Sequence, residues 1–313
     1  MKDRDIDFDT AIGLLDEGLL DLIKGANEIR EHYKGKIVDL CSIINAKSGR
    51  CKEDCIFCSQ SIHYKTNIDV YPFVGVEKVL KAARNAKDMG ANRFGVVISG
   101  KGIGGTKELR SICETISKLK EIDIFRCASL GILTLDIAHA LKDAGLEGYH
   151  HNLETSKSYF RNICTTHRFE ERRKTIEIAK EVGFRVCSGG IFGLGETMEQ
   201  RIELAFILKE LDVDSIPINI LNPIQGTPVE SQPPIPPLEI LRIIAIYRFI
   251  LPKKDIKVCG GREYALRDLQ ALMYLAGANG TLIGNYLTTP GRPPKEDIQM
   301  IKDLGLVPKR SCK

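Results

Sequence analysis

Short runs rich in Val and Ile alternate with segments whose apolar residues recur at helical spacing along nearly the whole chain. A polar leader, about residues 8–33, reads as one or two helices. The apolar runs predict strands at Ile37–Ile44, Arg93–Ser99, Ile124–Ser129, Glu147–Glu154, Phe184–Gly190, Asp214–Asn219, Lys257–Gly260 and Asn279–Gly284. Between them the pattern predicts helices at Val76–Met89, Lys107–Lys120, Leu135–Ala144, Glu171–Val182, after Thr197, and at Leu238–Ile250, Tyr264–Leu275 and Lys295–Leu304. Eight strand–helix units are the count of a (β/α)8 TIM-type barrel, an α/β fold. A doubly wound open sheet is the weaker alternative, since it needs fewer strands and a Gly-rich phosphate turn near the start. With neither repeats nor a linker in the series, the expected division is an N-terminal helical extension (1–36), one barrel (37–305) and a C-terminal tail (306–313).

Charge and composition narrow the function. The 313 residues carry 45 Lys plus Arg against 41 Asp plus Glu, a net charge of +4 that leaves no footprint for nucleic acid. The most apolar helical stretch, around Tyr247, is interrupted by Arg248 and falls short of a membrane span. The opening residues are too polar for a secretory signal. A cytoplasmic setting is expected, and there ten cysteines point to metal binding or catalysis rather than disulfides.

The loop after the first strand reads Cys51-Lys-Glu-Asp-Cys55-Ile-Phe-Cys58. Three thiolates at this spacing can hold three irons of a cubane cluster and leave the fourth open. A structural zinc site would want a fourth ligand, and only His63 is near in sequence. On the fourth strand His150, Asn152 and Glu154 alternate and so share one face, with His151 pointing away. Three polar side chains inside a barrel call for ligand hydrogen bonds, because unpartnered buried polar groups are costly. The stretch Gly189-x-Ile191-x-Gly193-x-x-Glu196 has two readings: a Gly-rich strand end with Glu196 in the next helix turn, or a backbone that approaches a ligand closely. Asn219 ends the sixth strand and either caps a turn or offers an amide to a ligand.

The C-x3-C-x2-C loop resembles that of radical S-adenosylmethionine (SAM) enzymes. CKEDCIFCSQS, GYHHNLETS, RVCSGGIFGLGE, INILNPIQGTP and GGREYALRDLQALMYLAGANGTLIGNYLTT together resemble the biotin synthase family over roughly residues 37–290. The resemblance implies a 4Fe–4S cluster on Cys51, Cys55 and Cys58 that cleaves SAM to a 5′-deoxyadenosyl radical. It implies SAM contacts at Phe57, Asn152, Glu154, Gly189, Ile191 and Glu196, with Glu154 on the ribose where the family more often has Asp. His150, Asn152 and Asn219 would hold the ureido ring of dethiobiotin, His150 standing where Asn is common. The reaction implied is sulfur insertion at C6 and C9 of dethiobiotin, which makes the protein a sulfurtransferase. An electron donor such as flavodoxin or ferredoxin and a homodimer also follow. The same chemistry occurs in hydrogenase-cofactor maturases and methylornithine synthase, and a non-catalytic iron–sulfur carrier is the rival from another class.

The resemblance also implies an auxiliary cluster, usually 2Fe–2S, on Cys127, Cys187 and Arg262 with a further cysteine on the second strand. Gly95 stands there instead. Strand parity turns Cys41 inward, on the first strand, and odd strands share a layer of a barrel interior. Cys41 is therefore expected to complete a remodelled cluster, with a small buried hydrophobe as the plain alternative and Cys259 in reserve. Arg262 is an odd ligand, and a salt bridge to a buried acid is its plain alternative. Cys113, Cys164 and Cys312 read as structural or incidental.

Overall fold

The structure, a computed structural model, describes residues 6–309; Cys312 lies outside them. Two leader helices, α1 (Phe8–Gly13) and α2 (Leu19–Lys34), precede a parallel sheet. Its strands are β1 (Ile37–Lys47), β2 (Arg93–Ile98), β3 (Phe125–Ser129), β4 (Gly148–His150), β5 (Arg185–Cys187), β6 (Gly190–Phe192), β7 (Ser215–Ile220), β8 (Asp255–Val258) and β9 (Gly280–Leu282). β1 to β5 pair in chain order, β5 and β6 both pair with β7, β7 pairs with β8 and β8 with β9, and β9 returns to β1, so the sheet closes. The result is an eight-stave barrel whose fifth stave is β5 and β6 end to end.

Between staves run α3 (Val76–Asp88), α4 (Thr106–Leu119), α5 (Leu135–Ala144), α6 (Phe169–Glu181), α7 (Met198–Glu210) and α8 (Pro237–Ile250). The core sits between staves and helices: Leu40, Phe94, Val96, Ala128, Tyr149, Val186, Ile216, Ile218 and Val258 are all fully buried there. Each faces outward from the barrel while its neighbours along the strand face the lumen, the period-two pattern of a strand.

Four expectations are corrected. The fourth strand is regular only from Gly148 to His150; beyond it the chain stays beside the fifth stave through single hydrogen bonds and one parallel bridge, Glu154 to Gly190, with Glu154 at φ +71°. The fifth strand breaks between Cys187 and Gly190. The helix expected at Tyr264–Leu275 is split into α9 (Arg262–Leu266), a 3-10 turn at Arg267–Leu269 and α10 (Leu272–Leu275), with Arg267 at φ +50°. After α11 (Pro294–Asp303), the expected tail adds a strand, β10 (Val307–Pro308), parallel to Ile37 and Val38.

Candidate active site in the barrel lumen

A cavity of about 400 Å³ fills the lumen and opens toward the loops after the staves. Its deep wall carries Cys41, Cys127, Cys187 and Cys259. Cys41 pairs in register with Arg93 and Leu282, Cys127 with Gly95 and Gly148, and Cys187 with His150 and Ser215. A Cβ at Gly148 would stand 3.1 Å from the Cys127 sulfur, so glycine there makes room for the thiol. The missing second-strand cysteine also has a physical account. A Cβ at Gly95 would lie 3.1 Å from Ile43 Cγ2 and 4.0 Å from Cys127 Cβ, so Ile43 occupies the side-chain space beside Cys127. Burial pushes the Cys127 thiol up to about 12 and raises Cys41, Cys187 and Cys259 as well. Such thiols keep their protons until a metal displaces them.

Beneath the thiols lies a charged triad that the sequence reading missed. Asp39 Oδ2 meets Lys257 Nζ at 2.5 Å and Arg93 Nε at 2.6 Å, and Asn92 donates to its other oxygen at 2.6 Å. Lys257 Nζ also donates to Cys41 Sγ at 3.0 Å. Burial would raise the Asp39 carboxyl, but the two cations outweigh it and hold it well below the usual carboxylate range. Two cations against one carboxylate leave a positive surplus beside four thiols, which suits an anionic iron–sulfur cluster. The signal was legible: Asp39 precedes Cys41 by two, and Lys257 precedes Cys259 by two, so each shares the thiol's face.

Nearer the mouth, the cavity wall includes Phe57, Cys58, His150, Asn152, Glu154, Ile191 and Asn219, as expected together. Asn152 Oδ1 accepts from Gly189 N at 3.2 Å while its Nδ2 donates to Glu154 Oε2 at 3.2 Å. Arg172, also missed, donates from Nη1 to Asn152 O at 2.9 Å and to Glu154 Oε1 at 3.3 Å. Burial pulls the His150 imidazole down to about 4, so it stands in the wall as a neutral hydrogen-bonding ring. His151 is buried away from the cavity, its Nε2 without a partner among the described residues. Asn219 bridges staves, accepting from Gly260 N at 3.0 Å and donating to Gly190 O at 3.1 Å.

Three expected site residues do not line the cavity and make their contacts within the scaffold. A Cβ on Gly189 would fall 2.0 Å from Pro217 O, so this glycine is needed for stave packing rather than ligand approach. The Glu196 carboxylate is buried, accepts from Gly193 N at 2.8 Å and Leu194 N at 2.7 Å, and pairs with Arg201 at 2.6 Å; it does not line the cavity. Arg262 does not line the lumen cavity. Its Nη2 meets Asp297 Oδ2 of α11 at 2.6 Å, with both side chains wholly buried, and Gln270 takes its Nη1. The salt-bridge alternative is the one the structure shows.

The loop after β1 folds back on itself: Cys51 N donates to Gln60 O and Cys58 N to Cys55 O, both at 3.0 Å. Cys51 and Cys55 are buried, and burial pushes Cys58 up to about 11, with the Cys51 thiol and the Glu154 carboxylate adding to the rise. Three thiols with no fourth thiolate on the loop fit a cubane cluster with one open iron. Cys164, expected to be incidental, instead has its sulfur 3.7 Å from that of Cys55.

Comparison with known proteins agrees with this geometry. Residues 46–208 match the Radical SAM superfamily, and residues 217–307 match the Biotin and Thiamin Synthesis associated domain. The biotin synthase of Geobacter sulfurreducens is 55% identical over 286 residues, covering 91% of this chain and 87% of that protein. That of Pelotomaculum thermopropionicum is 52% identical over 298 residues, covering 95% and 92%. Among solved structures, a methylornithine synthase superposes with TM-score 0.86 at 21% identity, covering 99% of this chain and 96% of that one. A FeFe-hydrogenase maturase from Carboxydothermus hydrogenoformans gives 0.83 at 19%, covering 98% and 78%. At those identities the two structures speak for the barrel alone. The sequence relatives go further, and with the cysteine loop and the thiol-lined lumen they establish that the chain belongs to the biotin synthase family of radical SAM enzymes.

Proposed function

We propose a division of labour among this chain's residues for the family's reaction, the conversion of dethiobiotin to biotin with SAM, a 4Fe–4S cluster and an auxiliary iron–sulfur cluster. When bound, the cubane and SAM supply a hydrogen-abstracting radical and the auxiliary cluster supplies sulfur; unactivated C–H bonds require such cofactor chemistry. Cys51, Cys55 and Cys58 hold the cubane. Glu154 takes the ribose hydroxyls of SAM and Asn152 touches both SAM and the substrate, with Phe57 and Ile191 as the apolar walls for adenine. The paired oxygens of Glu154 suit two adjacent hydroxyls, and Arg172 fixes their direction. Neutral His150, with Asn152 and Asn219, gives the donors and acceptors that a cyclic urea needs. The closed staves keep water from the reacting carbons.

For the auxiliary cluster we assign Cys41, Cys127, Cys187 and Cys259, and no longer Arg262. The observation that carries this is the lining of the lumen: all four sulfur-bearing residues face one cavity with Lys257 and Arg93, while Arg262 is bound to Asp297. The nine described cysteines are all free, and no helix among the described residues is long and apolar enough to cross a membrane. We add a reducing cytoplasmic setting, a small one-electron donor such as flavodoxin or ferredoxin, and a homodimer, the last checked by light scattering.

The experiment is an anaerobic reaction of reconstituted enzyme with SAM, a strong reductant and dethiobiotin, with biotin and 5′-deoxyadenosine measured by mass spectrometry. Wild type yields both products. Cys41→Ala and Cys259→Ala yield 5′-deoxyadenosine without biotin and lose auxiliary-cluster iron, whereas Arg262→Lys keeps that iron. Full iron in Cys41→Ala and Cys259→Ala would overturn the ligand assignment.

A further inference from the structure

Cys164 and His167 lie on the turn that leads from the 3-10 segment Phe160–Asn162 into α6. The fold clamps this turn against the cluster loop. Ile56 N donates to Ile163 O at 3.0 Å, and the Asp54 carboxylate accepts from Thr165 N at 2.9 Å and Thr166 N at 3.2 Å. The clamp sets the Cys55 and Cys164 sulfurs 3.7 Å apart and places Nδ1 and Nε2 of His167 3.2 and 3.9 Å from the Cys164 sulfur. Cys55, Cys164 and His167 are all buried, and a donor atom from each lies within 4.8 Å of the others. Asp54 Oδ1 accepts from the Cys164 sulfur at 3.2 Å as well as from the two threonine amides, so it braces the donor set from outside.

This is the spacing of a metal site. Two thiolates bound at about 2.3 Å to a tetrahedral ion stand about 3.8 Å apart. The imidazole is also prepared: Glu53 Oε2 lies 2.5 Å from Nδ1, takes that N–H and leaves Nε2 with its lone pair. A carboxylate behind the ring is the usual support of a metal-binding histidine. In the structure Arg172 Nε donates to that lone pair at 2.9 Å, so an ion bound here must displace Arg172 from it.

We propose that Cys55, Cys164 and His167, completed by solvent, bind a single thiophilic divalent ion, Zn²⁺ or Fe²⁺, when Cys55 is not holding the cubane cluster. Binding displaces whatever thiol protons remain to solvent and changes no oxidation state. The two uses of Cys55 exclude one another, so an ion held here competes with cluster assembly. It also takes Nε2 from Arg172, whose guanidinium braces Glu154 and Asn152, and so reaches the wall of the lumen cavity.

The test uses the full chain carrying Cys51→Ser and Cys58→Ser, which keeps the donor set but cannot hold the cubane, with Co²⁺ as probe. One equivalent should bind with tetrahedral d–d bands and thiolate-to-cobalt charge transfer. That equivalent should vanish when Cys164→Ser is added, and His167→Gln should weaken it by at least about tenfold. An unchanged cobalt spectrum after Cys164→Ser would assign the ion to other thiols and overturn the proposal, as would no cobalt–thiolate band at all. In an otherwise wild-type chain, Cys164→Ser should still assemble the cubane, which shows that it folds, and Zn²⁺ added beforehand should slow assembly in wild type but not in this variant. Equal slowing in both would also overturn it. Loss of biotin formation would bear on the family reaction and leave the cobalt result untouched.

Discussion

At the scale of single residues, the two kinds of buried charge in this protein make opposite predictions. Arg262 and Asp297 form an ion pair with no solvent access, outside the lumen. Arg262→Met strands a buried carboxylate and should cost about 3–5 kcal/mol in denaturant unfolding, while Arg262→Met with Asp297→Leu should recover most of it. His150 is a buried neutral ring, held at about 4 against an ordinary 6.5 by burial. Between those values the unfolded chain binds a proton that the folded chain refuses. Stability therefore falls as pH drops through that window, by up to about 1.4 kcal/mol per pH unit for this ring. Buried His151 is shifted down as well and adds its own slope, so His150→Gln should lower the slope measured by urea unfolding of cluster-free protein without abolishing it. Parity along a strand was enough to turn Cys41 inward; applied two residues away it would also have found Asp39 and Lys257. Nothing in sequence could seat Cys164, because its partners on the cluster loop lie over a hundred positions away, and no periodicity aims Arg172 of α6 back at Glu154.

At the scale of elements, the apolar runs located every stave because a stave covered by helices must be Val- and Ile-rich on its outer face. What sequence pattern did not show is where a stave stops. β5 and β6 are separated by Ser188 and Gly189, and the break lets both reach β7 while Gly189 N binds Asn152 Oδ1. No periodicity announces this, since the cause is the Pro217 carbonyl on another stave. Gly189→Ala should force β5–β6 away from β7, destabilise the chain by more than about 2 kcal/mol, and weaken SAM binding through the displaced Asn152. Isothermal titration of SAM into the reconstituted variant checks the second effect, and thermal unfolding the first.

At the scale of the whole molecule, the four lumen cysteines sit on or at the end of four staves, β1, β3, β5 and β8. A cluster held by all four cross-links the barrel through its centre. Without it, about 400 Å³ of lumen is walled by protonated thiols above the Asp39–Lys257–Arg93 triad. The unfolded chain offers no such converging site, so cluster binding is coupled to folding and should raise stability by several kcal/mol. For a barrel of this size that corresponds to a rise of roughly 5–10 °C in the unfolding midpoint under anaerobic conditions. The cubane, held by one surface-proximal loop, ties no staves together and should contribute much less. Calorimetry can separate them: Cys127→Ala, which breaks the auxiliary site, should lose most of the rise, while Cys58→Ser should keep most of it. The reverse ranking would mean that the lumen thiols do not share one cluster.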